Sequence, residues 1–216
     1  MSIKTTIINP PQIFTKSQIA SGVTPPLGVA YLASYLIKHG YPVQVIDALG
    51  ENPEQTVAFR KGSFLRGLTF KEIIDRIDSD SRIVGISNLF TFAYPAVEEL
   101  YQEIHRQHPD KRIILGGPHP SALYEEILLN HPEVSYVFRG KEGEQDLLKL
   151  VMYFDGKLKF EELTGIASRN ERGDVIALKD TVRIENLEKE NMPFPDRDLL
   201  PMENYIKAQE GHGPSS

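Results

Sequence analysis

Two hydrophobic periods take turns along the first three-quarters of the chain. Runs of consecutive apolar or β-branched residues read as strands: KTTIINP (4–10), YPVQVIDA (41–48), RIVGISNLF (82–90), RIILGG (112–117) and VSYVFRG (134–140). Stretches with apolar side chains every three or four positions read as helices over 25–40, 70–79, 94–109, 121–132 and 144–154. Tyr94, Val97, Leu100, Tyr101 and Ile104 share one helical face, and Ile73, Ile74 and Ile77 share another. Pro26 suits a first helical turn and Gly40 a C-terminal cap. PQIFTKSQIASGVTP (11–25), after the first strand, reads as a long loop.

Strands that alternate with helices imply βαβ units and a mostly parallel sheet. The strand interiors are continuously apolar, as strands covered by helices on both faces require. Right-handed crossovers leave few topologies. The expected fold class is α/β, a doubly wound, mostly parallel five-stranded sheet of flavodoxin-like, Rossmann-like order. The pattern changes after Phe154. LTGIASRNERGDVIALKD (163–180) reads as a β-hairpin turning at Asn170–Gly173. The proline-rich stretch that follows has no amphipathic period and reads as a linker or extended arm. The expected organisation is an α/β domain over 1–154, a hairpin extension over 155–190 and a linker over 191–216.

Ligands of such sheets bind outside the carboxyl ends of the strands, where the strand order reverses. Those ends carry NPPQIF, SNLFTF, GGPHPS and RGKEGE. The candidate binding residues are therefore Asn9 and Pro10; Ser87, Asn88 and Leu89; Gly116, Gly117, Pro118, His119 and Pro120; and Gly140, Glu142, Gly143 and Glu144. Gly116–Gly117 reads either as a tight βα turn or as a place where a bulky ligand meets the backbone. Ser87 reads either as a ligand contact or as a helix cap. His119, between two prolines, reads as a rigid loop residue or a hydrogen-bond donor to a ligand rather than a proton shuttle. His39, His105, His108 and His131 lie near helix ends, where a cation suits the dipole. Glu142 and Glu144 suit a helix first turn, and Gly143 a close backbone approach.

Several chemistries lack their residues. No GxGxxG follows the first strand and no GxxxxGK[ST] is present. The first strand ends in Asn9–Pro10 and offers neither a receiver-type phosphoacceptor aspartate nor a hydroxyl-rich flavin phosphate loop. No carboxylate pair or nucleophile elbow stands out. No catalytic or metal-ligating side chain is therefore expected: the site should position a bound cofactor. The chain has no cysteine, so it carries neither a disulfide nor a cysteine-ligated iron–sulfur cluster. Its net charge of −6 disfavours a nucleic-acid backbone or an anionic membrane as partner. No apolar run is long enough to span a bilayer, and the N-terminus lacks a signal-peptide pattern, so a soluble cytoplasmic protein is expected.

PPLGVAYLASYLIKHGYPVQVIDA, ILGGPHPSALYEEILL, VFRGKEGEQDLLKLV, LTGIASRNERGDVI and MPFPDRDLLPMENY occur in this order. Together they resemble the N-terminal cobalamin-binding half of the cobalamin-dependent radical S-adenosylmethionine enzymes. The resemblance spans nearly the whole chain. It implies a corrin ring lying across the strand ends, with its nucleotide tail descending between sheet and helices. Ser87 and Leu89 match the serine-x-leucine that borders the tail, and Gly116 and Gly117 the glycine pair that lets it pass. Glu142, Gly143 and Glu144 match the acidic turn after the fifth strand. His119 and its flanking prolines would line the corrin or its amides. The resemblance also implies a following radical domain with a [4Fe–4S] cluster and S-adenosylmethionine, so the chain reads as a fragment that is not catalytic alone. Methionine-synthase-type cobalamin domains carry a cobalt-ligating histidine after the first strand. Residues 9–25 contain no histidine, so base-off cobalamin without a protein ligand from this loop is expected. The reaction expected of the whole protein is methyl transfer or carbon-skeleton modification. A flavodoxin-like nucleotide or flavin module, and a non-catalytic interaction domain, are the alternatives.

Overall fold

A computed structural model describes residues 2–15, 22–60, 62–140, 143–180 and 192–208. Five strands form the parallel centre of the main sheet: β1 (Lys4–Asn9), β3 (Val43–Asp47), β6 (Ser81–Ser87), β7 (Arg112–Gly116) and β8 (Val134–Phe138). They stand side by side as β8-β7-β6-β1-β3, the flavodoxin-like arrangement expected. The strand order reverses between β1 and β6. The registers Asn9↔Asp47 and Ser87↔Gly116 bring neighbouring carboxyl ends to one level.

Helices cover both faces because alternate strand residues point opposite ways. Val84, Ile86, Ile113 and Leu115 join one core with α3 (Phe70–Arg76), α4 (Tyr94–Gln107) and α6 (Tyr124–Asn130). Ile7, Ile83 and Ile114 join the other with α1 (Leu27–Lys38) and α7 (Gly143–Phe154). On α4 the predicted stripe of Val97, Leu100, Tyr101 and Ile104 is fully buried. The α3 start is set by a capping box. Thr69 Oγ1 accepts from Glu72 N at 3.2 Å, and Glu72 Oε2 accepts from Thr69 N at 2.8 Å.

Four features depart from the expected pattern. The first-strand loop contains β2 (Gln12–Thr15), and an unassigned stretch contains β4 (Thr56–Ala58) and β5 (Ser63–Arg66); the three form a separate antiparallel sheet in the order β2-β5-β4. The single helix expected over 121–132 is two, α5 (Pro118–Ala122) and α6, broken at Leu123. The hairpin, β9 (Ile166–Arg169) and β10 (Val175–Ala177), is no separate appendage. It extends the main sheet antiparallel to β8, making seven strands. The arm also carries helix α8 (Met202–Lys207), which packs on the short helix α2 (Ala48–Glu51).

Candidate functional site

The carboxyl ends of β6 and β7 form one group. Asn88 N donates to Gly116 O at 2.7 Å, which closes β6 onto the turn after β7. Gly117 has φ +110°, a conformation that side chains disfavour, and a Cβ there would collide with the Asn88 carbonyl. Gly117 is therefore accounted for by the turn itself. At Gly116 a Cβ would only touch the Phe138 ring, at 3.7 Å. Ser121 Oγ donates to Phe138 O at 2.7 Å and ties α5 to the end of β8.

Asn88 is 1% exposed, yet neither its amide nitrogen nor its amide oxygen has a hydrogen-bond partner among the described residues. Buried polar atoms are normally paired, and an unmet pair costs on the order of 1–3 kcal/mol per group. His119, on α5, is also buried. Its Nδ1 lies 3.2 Å from Thr91 Oγ1, its ring packs on Tyr94 with centroids 4.5 Å apart, and its Nε2 is unpartnered among the described residues. Burial pushes its imidazolium below the ordinary histidine value, so the ring is neutral at pH 7 and offers one donor and one acceptor. Beside these atoms Leu89, Phe90 and Phe92 are exposed.

The other predicted residues are placed differently. Asn9 donates to Asp47 Oδ1 at 2.7 Å. Asp47, 1% exposed, also accepts from Gly50 N at 3.1 Å and from the Tyr205 hydroxyl at 2.5 Å. Burial raises the Asp47 pKa against the pull of these donors, and raises that of Tyr205. Asn9 thus belongs to a buried polar hub joining β1, β3, α2 and α8, and Pro10 follows it half-buried. Pro118 is exposed and Pro120 buried. Gly140 faces the start of β9, where a Cβ would meet Asp146 Oδ2 at 2.5 Å and Gly165 Cα at 3.2 Å. Gly143 and Glu144 open α7, half-buried, while Glu142 lies outside the described residues. The structure therefore unites Ser87, Asn88, Gly116, Gly117 and His119, and sets Asn9 and Gly140 in neighbouring groups with partners of their own. Sequence reasoning passed over Phe90, Thr91 and Phe92. Their signal was two phenylalanines in a stretch that should have been polar.

Among the described residues no three histidine or acidic side chains gather as a metal site, and no helix is long and apolar enough to cross a membrane. Clefts of about 390 and 200 Å³ run along Arg197–Asn204 and beside Glu51–Glu54; neither is lined by the strand-end group.

Comparison with known proteins bears directly on this rim. The family model of the B12 binding domain matches residues 19–148, more than half of the chain and all of the Asn88–His119 group. A protein described as an uncharacterized methyltransferase of Pyrococcus horikoshii is 31% identical over 210 residues, which is 94% of this chain and 40% of that protein. An anaerobic magnesium-protoporphyrin IX monomethyl ester cyclase of Rubrivivax gelatinosus is 32% identical over 190 residues, 86% of this chain and 31% of that one. The chain thus spans less than half the length of these relatives. Among solved structures, the cobalamin-dependent S-adenosylmethionine radical enzyme OxsB with aqua-cobalamin and S-adenosylmethionine bound superposes with a TM-score of 0.71 at 23% identity, over 97% of this chain and 26% of that one. The radical S-adenosylmethionine methyltransferase TsrM of Kitasatospora setae superposes at 0.58 and 18% identity, over 85% and 30%. These likenesses establish the fold. With the matched span enclosing the ends of β6 and β7 and their unpartnered polar atoms, the chain belongs to the B12-binding domain family.

Proposed function

We propose that this chain binds cobalamin at the carboxyl rim of β6 and β7 and serves as the cobalamin-holding part of a radical S-adenosylmethionine enzyme. The observation that carries the reading is Asn88, buried at the end of the central strand with both amide atoms unpartnered among the described residues. A corrin is fringed with amides, and an amide side chain can both donate to and accept from them. His119 Nε2 is the second anchor. Ser87 and Leu89 would border the nucleotide tail, and the Gly116–Gly117 turn, which carries no side chains, would lie beside it. Pro118 and Pro120 hold the His119 backbone rigid. Asn9–Pro10 on one side, and Gly140 with the Gly143–Glu144 helix start on the other, would bound the ring.

When bound, cobalamin supplies cobalt–carbon and redox chemistry, which the protein itself cannot. The residues named here bind and orient it. We assign it the base-off form, with no ligating histidine from residues 9–25, which contain none. The [4Fe–4S] cluster and S-adenosylmethionine would belong to a radical domain elsewhere in a longer protein. The greater length of the relatives and their methyltransferase and cyclase names support that assignment. Methyl transfer or carbon-skeleton modification is the reaction class, in the cytoplasm.

The test is retention. Protein at micromolar concentration is incubated with hydroxocobalamin and passed over a gel-filtration column. A visible corrin spectrum co-eluting in stoichiometric amount is the expected result; a colourless protein peak would overturn the reading.

A further inference from the structure

The far end of the chain reaches the rim through one buried carboxylate. Asp47 ends β3 in register with Asn9 at the end of β1. Its Oδ1 accepts from Asn9 Nδ2 at 2.7 Å and from Gly50 N at 3.1 Å, and its Oδ2 accepts from the Tyr205 hydroxyl at 2.5 Å. All three donors are neutral groups. Position 50 is built for this contact. A Cβ there would stand 2.4 Å from Asp47 Oδ2 and 2.5 Å from the Tyr205 hydroxyl, so only glycine lets the hydroxyl through. Helix α8 itself is short, buries only Tyr205 and is flanked by the two open clefts described above. Its seat therefore depends on few contacts.

Hydrogen-bond chemistry carries this seat to the rim. An ionised carboxylate only accepts, so Asn9 must turn its nitrogen toward Asp47. That is the one hydrogen bond of the Asn9 side chain among the described residues, and Asn9 is half-buried, which leaves Oδ1 for a donor at the rim. Removing the Tyr205 hydroxyl strips Asp47 of the one donor to Oδ2 and leaves that oxygen desolvated. The carboxyl must then reorient or take up a proton, and a protonated carboxyl donates. Asn9 would answer by turning its oxygen inward and its nitrogen outward. Apolar side chains would join β1, β3, α2 and α8 without burying a charge, so stability alone does not call for the hub.

Resting on the reading that cobalamin binds at this rim, we propose that Tyr205 is a positioning residue for the ligand: through Asp47 it keeps the Asn9 amide turned with Oδ1 free to accept from a corrin amide, so that docking of the arm and binding of cobalamin strengthen each other. Such coupling is reciprocal. A pull that draws α8 away from α2 then loosens the cofactor, and the cofactor tightens α8.

Equilibrium dialysis against hydroxocobalamin tests the coupling in wild type, Tyr205→Phe, Asn9→Ala and the double variant, each held below its own melting temperature. Tyr205→Phe should lose about fivefold in affinity. The loss should vanish in the Asn9→Ala background, where no amide remains to be turned. Hydrogen exchange gives a second readout. Saturating hydroxocobalamin should slow exchange in α8 about fivefold in wild type and leave it unchanged in Asn9→Ala. A hydroxyl with a purely structural role would lower the melting temperature and produce neither result. A wild type that binds no cobalamin overturns the underlying reading and the coupling with it. A wild type that binds, with Tyr205→Phe within about twofold of it or with the same loss in both backgrounds, overturns the coupling alone. So does exchange in wild-type α8 that ignores the ligand, a measurement that needs no variant to fold.

Discussion

Asn88 is a residue whose burial costs the fold and whose amide the proposed site would use. Its backbone is fully used: the amide bonds Gly116 and the carbonyl occupies the space a side chain at Gly117 would need. Its side chain is buried without a partner among the described residues. Replacing it with alanine removes two desolvated polar atoms and no protein–protein hydrogen bond. Asn88→Ala should therefore leave the melting temperature of the free protein unchanged or raised, while weakening cobalamin binding about tenfold. Parallel melting and dialysis measurements check this; a large loss of stability together with unchanged binding would make Asn88 a packing residue. The sequence offered Ser-Asn-Leu only as a loose strand-end motif, because nothing in a linear string tells that an asparagine amide lies in a dry pocket. Gly117 was legible as a turn or a ligand approach. Only the neighbouring strand, 29 residues away in the chain, decides that its own backbone takes the space.

At the scale of elements, the helices and parallel strands were readable because their periods are local properties. The α3 start illustrates the physics. Glu72 accepts from Thr69 N, from Thr69 Oγ1 and from Gln55 Nε2, each at 2.8 Å, and these bonds hold its carboxyl down at about 2 from an ordinary 4.5. A carboxylate with a depressed folded pKa adds stability that is present above its unfolded pKa and fades as pH falls through the folded one. Glu72→Gln should thus be less stable than wild type at pH 6–7, with the gap closing as pH drops from about 4.5 toward 2, as denaturant melts at several pH values would show. The elements that escaped, β2, β4 and β5, are three or four residues long and mostly half-exposed. Strands so short carry too few alternations to register a period, and they exist because they pair with one another. The helix break at Leu123 was hidden for a related reason: Pro118 and Pro120 are compatible with a first helical turn, and the sequence does not say that a second helix starts at Tyr124.

Across the whole molecule, the arm is the part whose behaviour composition misjudged. Four prolines and no amphipathic stripe suggested an extended tether, yet the described part is docked. Tyr205 donates to Asp47, Asn204 Nδ2 donates to Gly50 O and Glu51 O at 2.9 and 3.1 Å, and Asp196 N donates to Ser34 Oγ at 2.8 Å. Gly50 leaves room for the Tyr205 ring, which a Cβ would meet at 2.5 Å. Tyr205→Phe removes a donor from a buried carboxylate and should lower stability by roughly 1.5–3 kcal/mol. It should also speed hydrogen exchange in α8 ahead of the sheet. Uniform exchange across α8 and β1 would mean that the hydroxyl contributes nothing to docking. Because Asn9 shares Asp47 with Tyr205, the arm is registered to the same rim as the candidate site. What the amino-acid string determined alone was the alternation of buried strands with amphipathic helices, hence the doubly wound class, since periodicity and turn chemistry depend on near neighbours. What only the tertiary structure decided was which polar atoms are left unpaired, which rings stay outside and where the arm lands, because each depends on contacts between residues far apart in the chain.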